Sequence, residues 1–216
     1  MATFVEIRGR EDPGWEDAAC AALESGAVLV HPTTSVYGIG GSERRTDPIV
    51  ARLKGRAESV PILRLVYDAE QLLDLHPTIR WSEQAELLAE AFWPGPLTLI
   101  LDDGSEEGLA VRAEAHPVMR QLLFRFGMGI GSTSLNLTGD PPAHTVRDAR
   151  RVLEAMPELD RPLHLLSAGD LPGPPTSTLL SLRGRVPRIL RVGAIRREQI
   201  EKLIGAAAPR DEEGSP

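Results

Sequence analysis

The sequence predicts one α/β domain built on a twisted, mixed sheet. Three observations carry that expectation. Strand-like and helix-like segments are mixed along the chain rather than gathered into separate blocks. No internal repeat and no linker-like stretch divides them. The 216 residues, 42% hydrophobic and 25% charged, have an ordinary globular composition and can bury an ample core. The domain is expected over residues 1–205, with residues 206–216 as a disordered tail.

The elements follow in chain order from periodicity and punctuation. Residues 3–8 alternate as a first strand, and residues 15–25 have helical periodicity that stops at Gly26. Residues 27–31 are an apolar run fit for a buried strand. Asp47-Pro48 starts a helix, with an N-cap residue before a proline at the first helical position, and that helix ends near Lys54-Gly55. Residues 62–67 form a strand, Asp68 caps a short helix to Leu75, and Ser82 opens a helix to Phe92. The two prolines of Trp93-Pro94-Gly95-Pro96 exclude regular structure there. Strands are expected over 97–101 and 108–112, then a helix over 117–126 and a strand over 128–134. Thr145, with Asp148 three residues on, starts the next helix. A short strand over 163–166 leads to a proline-glycine loop over 169–175. Residues 177–182 and 186–191 read as a hairpin around Arg183-Gly184, and 196–204 as a last helix.

Composition narrows the function. The net charge of −7 argues against a general nucleic-acid binder, and 4% aromatics against a stacking platform for single strands. The one cysteine, Cys20, sits in an apolar helical pattern and reads as a buried small hydrophobe. Histidines 31, 76, 116, 144 and 164 lack the spacing of metal ligands. The first residues lack the apolar core of a signal peptide, and no apolar run is long enough to span a bilayer, so no membrane partner and a cytoplasmic protein are expected. There is no Walker A loop and no G-x-G-x-x-G.

One stretch concentrates chemistry. After the strand Val28-Leu29-Val30, the chain breaks at Pro32 into Thr33, Thr34 and Ser35, passes Tyr37, Gly38, Gly40 and Gly41, and reaches Lys54 and Arg56. Hydroxyls, flexible backbone and paired cations suggest a site for an anionic ligand. Of 24 basic residues only Lys54 and Lys202 are lysines, which hints that an ammonium is wanted at position 54. Lys54-Gly55-Arg56 has two readings, as helix-terminal charges before a stop glycine or as a point charge and a planar fork for phosphate or carboxylate oxygens. Ser132 to Asn136 also has two, as hydroxyls and an amide at a strand end holding phosphate or a hydrated magnesium, or as a polar loop bonding its own backbone. Arg112, Ser177, Thr178 and Arg191 could line the same cavity, but the sequence alone does not bring them together.

The order of these motifs resembles the YrdC/Sua5 family, the threonylcarbamoyl-AMP synthases of tRNA modification. Pro32-Thr33-Thr34-Ser35-Val36-Tyr37-Gly38-Ile39-Gly40 resembles the family's P-T-x-T-x-Y-G-L-G. Lys54-Gly55-Arg56 matches K-x-R, and Phe92 to Thr98 matches F-W-P-G-P-L-T without a change. Ala110-Val111-Arg112 with His116-Pro117 resembles the arginine strand end, and Ser134 to Gly139 resembles S-A-N-x-S-G. Thr176-Ser177-Thr178 and Leu190-Arg191-Val192-Gly193 match the late P-S-T and L-R-x-G. Thr34 stands where the family often has glutamate, Glu114 where it favours proline, Ala57 where a proline commonly follows K-x-R, and Leu135 replaces the small alanine of S-A-N.

The resemblance implies a single YrdC-like domain, short form, whose open mixed sheet and helices surround a large cavity. It implies joining of L-threonine, bicarbonate and ATP, with Mg2+ accompanying the ATP and no metal ligated directly by protein. By position, Lys54 and Arg56 are the implied catalytic cations on phosphate and threonine carboxylate. Thr33 and Ser35 would line the threonine and carbamate end, with Tyr37 also among the substrate-binding residues. Ser134 and Asn136 would hold the triphosphate and its magnesium, and Arg112, Ser177 and Arg191 the nucleotide side. The product would serve the threonylcarbamoyladenosine (t6A) modification, with tRNA or a t6A transferase complex as partner. A diverged relative that binds RNA or nucleotide without this chemistry is the alternative.

Overall fold

The computed structural model describes residues 3–42, 46–53, 62–137 and 139–209. The chain runs β1 (Val5–Arg8), α1 (Trp15–Glu24), β2 (Val28–His31), β3 (Gly38–Gly40), α2 (Asp47–Leu53), β4 (Leu63–Val66), α3 (Ala69–Leu75), α4 (Glu83–Phe92), β5 (Leu97–Leu101), β6 (Leu109–Ala113), α5 (Pro117–Phe126) and β7 (Ile130–Ser134). It continues through α6 (Val146–Ala155), β8 (Leu163–Ser167), β9 (Thr178–Ser181), β10 (Arg188–Arg191), α7 (Arg197–Ile204) and β11 (Ala208–Pro209). The strands join in the order β1-β8-β2-β3-β7-β4-β6-β5-β9-β10-β11. The sheet is mixed: β8 pairs parallel with both β1 and β2, whereas β3 is antiparallel to β2 and β7. Further along, β4 pairs parallel with β6, and β9 and β10 form the antiparallel hairpin. The mixed α/β architecture expected from the sequence is the one observed.

Local chemistry explains where the helices start. Asp68, Ser82 and Thr145 each accept a hydrogen bond from the backbone N–H three residues on, at 2.8, 3.2 and 3.0 Å. Pro117 fills the first position of α5, where its missing N–H costs nothing. Burial explains the strands. On β2, Val28 and Val30 pack in one core with α6, while Leu29 between them joins a second core with α1 and α5. A third core lies under α3, α4 and α7, against Leu97, Leu99 and Val111. The Trp93-Pro94-Gly95-Pro96 loop is stitched in place: Trp93 Nε1 donates to Leu97 O at 2.7 Å and Gly95 N to Ala113 O at 3.0 Å.

Two expectations change. Gly38 to Gly40, read as flexible backbone, is the buried strand β3. The glycines serve close packing: a Cβ on Gly38 would lie 2.6 Å from His31 Cε1 and 2.7 Å from Ser132 Oγ, and one on Gly40 would fall inside the Gly131 carbonyl. Second, the expected tail begins in order, because Ala208–Pro209 pairs parallel with Arg188–Ile189 of β10. Residues 210–216, and the expected end of α2 at Lys54-Gly55, lie outside the described residues.

Candidate functional site

A cavity of about 620 Å³ is lined by residues of the adjacent strands from β3 to β10 in the sheet order and of the loops beside them. One wall is the turn after β2, with Thr33 and Ser35. The floor carries the end of β7, Ser132 to Ser134, beside Thr98 of β5 and Arg112 of β6. The opposite wall is the Pro174-Pro175 loop with Ser177, and Arg191 comes from the end of β10. A ligand of nucleotide size fits such a volume.

The described residues bring six of the expected site residues together here: Thr33, Ser35, Arg112, Ser134, Ser177 and Arg191. The hydroxyl of Thr33 donates to Val36 O at 2.7 Å, so it fixes the turn that presents Ser35. The Ser35 carbonyl in turn accepts from Gly173 N at 2.8 Å, which ties the turn to the opposite loop. Arg191 Nη2 donates to Ser177 O at 2.9 Å, and Ser177 Oγ lies 2.9 Å from Thr98 Oγ1. Burial, and then the charge of Arg112, push the Arg191 pKa down. An anion beside Arg191 would relieve the charge that Arg112 sets against it.

Two expected residues are placed elsewhere. Tyr37 is fully buried in the core with Val30, Ile39 and Val152. Its hydroxyl donates to Gly169 O at 2.7 Å and accepts from Ala168 N at 3.1 Å, so it holds the loop that continues into the cavity wall rather than substrate. Asn136 turns back on its own loop: its Oδ1 accepts from Ser134 Oγ at 2.9 Å, and its Nδ2 donates to Leu137 O at 2.8 Å and Asp140 O at 3.2 Å. Of the two readings of this loop, Asn136 follows the self-bonded one, while Ser132 to Ser134 face the cavity. Lys54 and Arg56 lie outside the described residues.

Glu114 was not among the expected site residues. It is fully buried, and its carboxylate accepts from Thr34 N at 2.9 Å, from the Thr34 hydroxyl and from Arg112 Nη2. Burial alone would raise its pKa, but Arg112 and the hydrogen bonds outweigh it and hold the carboxyl below its usual value. Two of the places where the sequence departs from the family pattern, Thr34 and Glu114, are therefore in direct contact. The signal available in sequence was the spacing: residues 112 and 114 fall on one face of an extended strand.

No group of three or more His, Cys, Asp or Glu side chains that could hold a metal ion occurs among the described residues. The donors at the end of β7 are hydroxyls, which suit a magnesium that keeps most of its waters and is carried by phosphates. Among the described residues no helix is long and apolar enough to cross a membrane.

Comparison with known proteins gives the family and the fold. Residues 21–193 match the Sua5/YciO/YrdC family profile, described as "Telomere recombination". The threonylcarbamoyl-AMP synthase of Bacillus subtilis (strain 168) is 34% identical over an alignment covering 94% of this chain and 60% of that protein. The structure of Pyrococcus abyssi Sua5 complexed with L-threonine superposes with a TM-score of 0.80 at 27% identity, covering 97% of this chain and 63% of that one. The Escherichia coli YciO structure, at 21% identity and TM-score 0.74, shares the fold over 93% of this chain and 100% of its own. The chain spans about three fifths of the length of the Bacillus protein and of the Pyrococcus abyssi synthase.

Proposed function

We propose, from the premise that this chain belongs to the Sua5/YciO/YrdC family, that it makes threonylcarbamoyl-AMP from L-threonine, bicarbonate and ATP, releasing pyrophosphate and water. The observation that carries the reading is the cavity itself, where hydroxyls from the turn after β2 and the end of β7 converge with two arginines from separate strands, the buried Arg112 and the more exposed Arg191. In this reaction the amine of threonine and bicarbonate form a carbamate. One carbamate oxygen then attacks the α-phosphorus of ATP, and the bond to the bridging oxygen of pyrophosphate breaks. Such nucleotidyl transfer asks the protein for positioning and for cations against phosphate charge rather than for a nucleophile of its own.

Thr33 and Ser35 would hold the amino-acid and carbamate end, with Ser134 at the triphosphate. Arg112, Ser177 and Arg191 would line the nucleotide side. Lys54 and Arg56 complete the proposal as cations on phosphate and carboxylate. Magnesium entering with ATP would offset phosphate charge, and the hydroxyls of Ser132 to Ser134 would meet its water shell. The product would feed the t6A modification of tRNA, with tRNA or the transferase complex as downstream partner.

The test is pyrophosphate release by the purified chain, measured with all three substrates and with each omitted. Release that requires threonine and bicarbonate, and falls at least about a hundredfold in Lys54→Ala, supports the reaction. Binding of ATP without threonine-dependent release would replace it with a nucleotide-binding role.

A further inference from the structure

Glu114 is 0% exposed and lies beside Arg112, which is 5% exposed. Its Oε1 accepts from three backbone N–H groups, those of Thr34 at 2.9 Å, Ala115 at 3.0 Å and His116 at 3.1 Å, and from the Thr34 hydroxyl. Its Oε2 takes Arg112 Nη2. A buried carboxylate is costly unless it is paired and hydrogen-bonded, and an apolar side chain would fill such a site at less cost. Bonding the local backbone that leads into α5 explains two of the contacts, those to Ala115 and His116. It does not explain the others, which reach a turn 80 residues earlier in the chain and a cavity-lining arginine. His31, fully buried under the same turn, is kept neutral by burial, so the charge facing Glu114 there is that of Arg112.

We propose that Glu114 is a positioning residue for the amino-acid end of the substrate, its carboxylate fixing the Thr33 to Ser35 turn and the Arg112 guanidinium relative to each other. The inference rests on the reaction proposed above. The turn and the arginine come from different strands, and one carboxylate bonded to both sets their separation more tightly than packing alone. The amino acid would lie against the turn that Glu114 holds directly, whereas the nucleotide, lined by Ser177 and Arg191 besides Arg112, would depend on Glu114 less.

The test uses the full chain, with L-threonine and ATP varied separately and thermal stability recorded alongside. Glu114→Gln leaves a carbonyl oxygen for the N–H groups and puts an amide, which cannot accept, against Arg112. The expected result is a rise of about tenfold or more in KM for L-threonine, with KM for ATP within about threefold of wild type. Thr34→Val removes one donor to Glu114 and leaves the ion pair intact. It should raise the same KM about threefold, and it decides the matter if Glu114→Gln does not fold. Unchanged threonine KM in the folded variants, or equal rises for both substrates tracking a loss of stability, would reduce Glu114 to a structural carboxylate and overturn the inference while leaving the reaction standing. A wild-type chain without threonine-dependent turnover would remove the reaction and the inference together.

Discussion

His31 is fully buried, and burial pushes its pKa from an ordinary 6.5 down to about 4. Between those values the unfolded chain takes up a proton that the folded chain refuses. Stability therefore falls as the pH drops through that window, by about 2 kcal/mol between pH 7 and pH 5. Glu114 adds to the loss in more acid solution, because its carboxyl is held below its ordinary 4.5 and the unfolded chain protonates first. Urea unfolding at pH 7 and pH 5 checks the His31 share: His31→Asn should lose most of the difference, and an unaltered difference would exclude His31 as its source. Tyr37 invites a second measurement. Tyr37→Phe keeps the ring in the core but strands Ala168 N–H and Gly169 C=O, at a cost of about 1–2 kcal/mol of stability in the same assay. Both residues stand in or beside the motif that marks the site, and both act beneath it.

Strand β3 shows where reading elements from sequence succeeds and where it stops. Its three residues, Gly-Ile-Gly, offer no apolar run and no alternation long enough to register, yet β3 joins β2 to β7 through the middle of the sheet. What demands glycine there is a neighbour, Gly131, more than ninety positions away. Gly40→Ala should therefore cost more than about 4 kcal/mol or prevent folding. Gly104→Ala should cost only about 1 kcal/mol, because its backbone is left-handed, with φ of 86°, but the space around it is open. Thermal denaturation of the two variants separates close packing from backbone conformation. By contrast the caps Asp68, Ser82 and Thr145 were legible, since a cap and its N–H lie three residues apart. The site was legible in the same proportion. Motif order picked out Thr33, Ser35, Arg112, Ser134, Ser177 and Arg191, which line one cavity. Tyr37 and Asn136 lay in the same motifs but point to other tasks, because which face a side chain takes depends on the sheet it joins. In sequence Glu114 reads only as a departure from the motif, because its role in the site lies in its contacts with Thr34 and Arg112.

At the scale of the whole molecule, the chain carries a net charge of −7, and two of its arginines, Arg112 and Arg191, line the cavity. Affinity for a polyanion should then be modest. Unmodified tRNA is expected to bind more weakly than about 10 µM at physiological salt, and filter binding across a salt series would check it. Nanomolar binding that persists at that salt would contradict this charge argument. The contact between Thr34 and Glu114 also joins the walls of that cavity across 80 residues of chain, and this constrains the order in which its sequence can change. Thr34→Glu alone would set two carboxylates into one buried space, and Glu114→Pro alone would leave Arg112 and the turn without their common acceptor. Exchanged together, the two positions again hold one acid between the same walls. Either single step passes through a poor intermediate, so these two positions of the chain are constrained to change together.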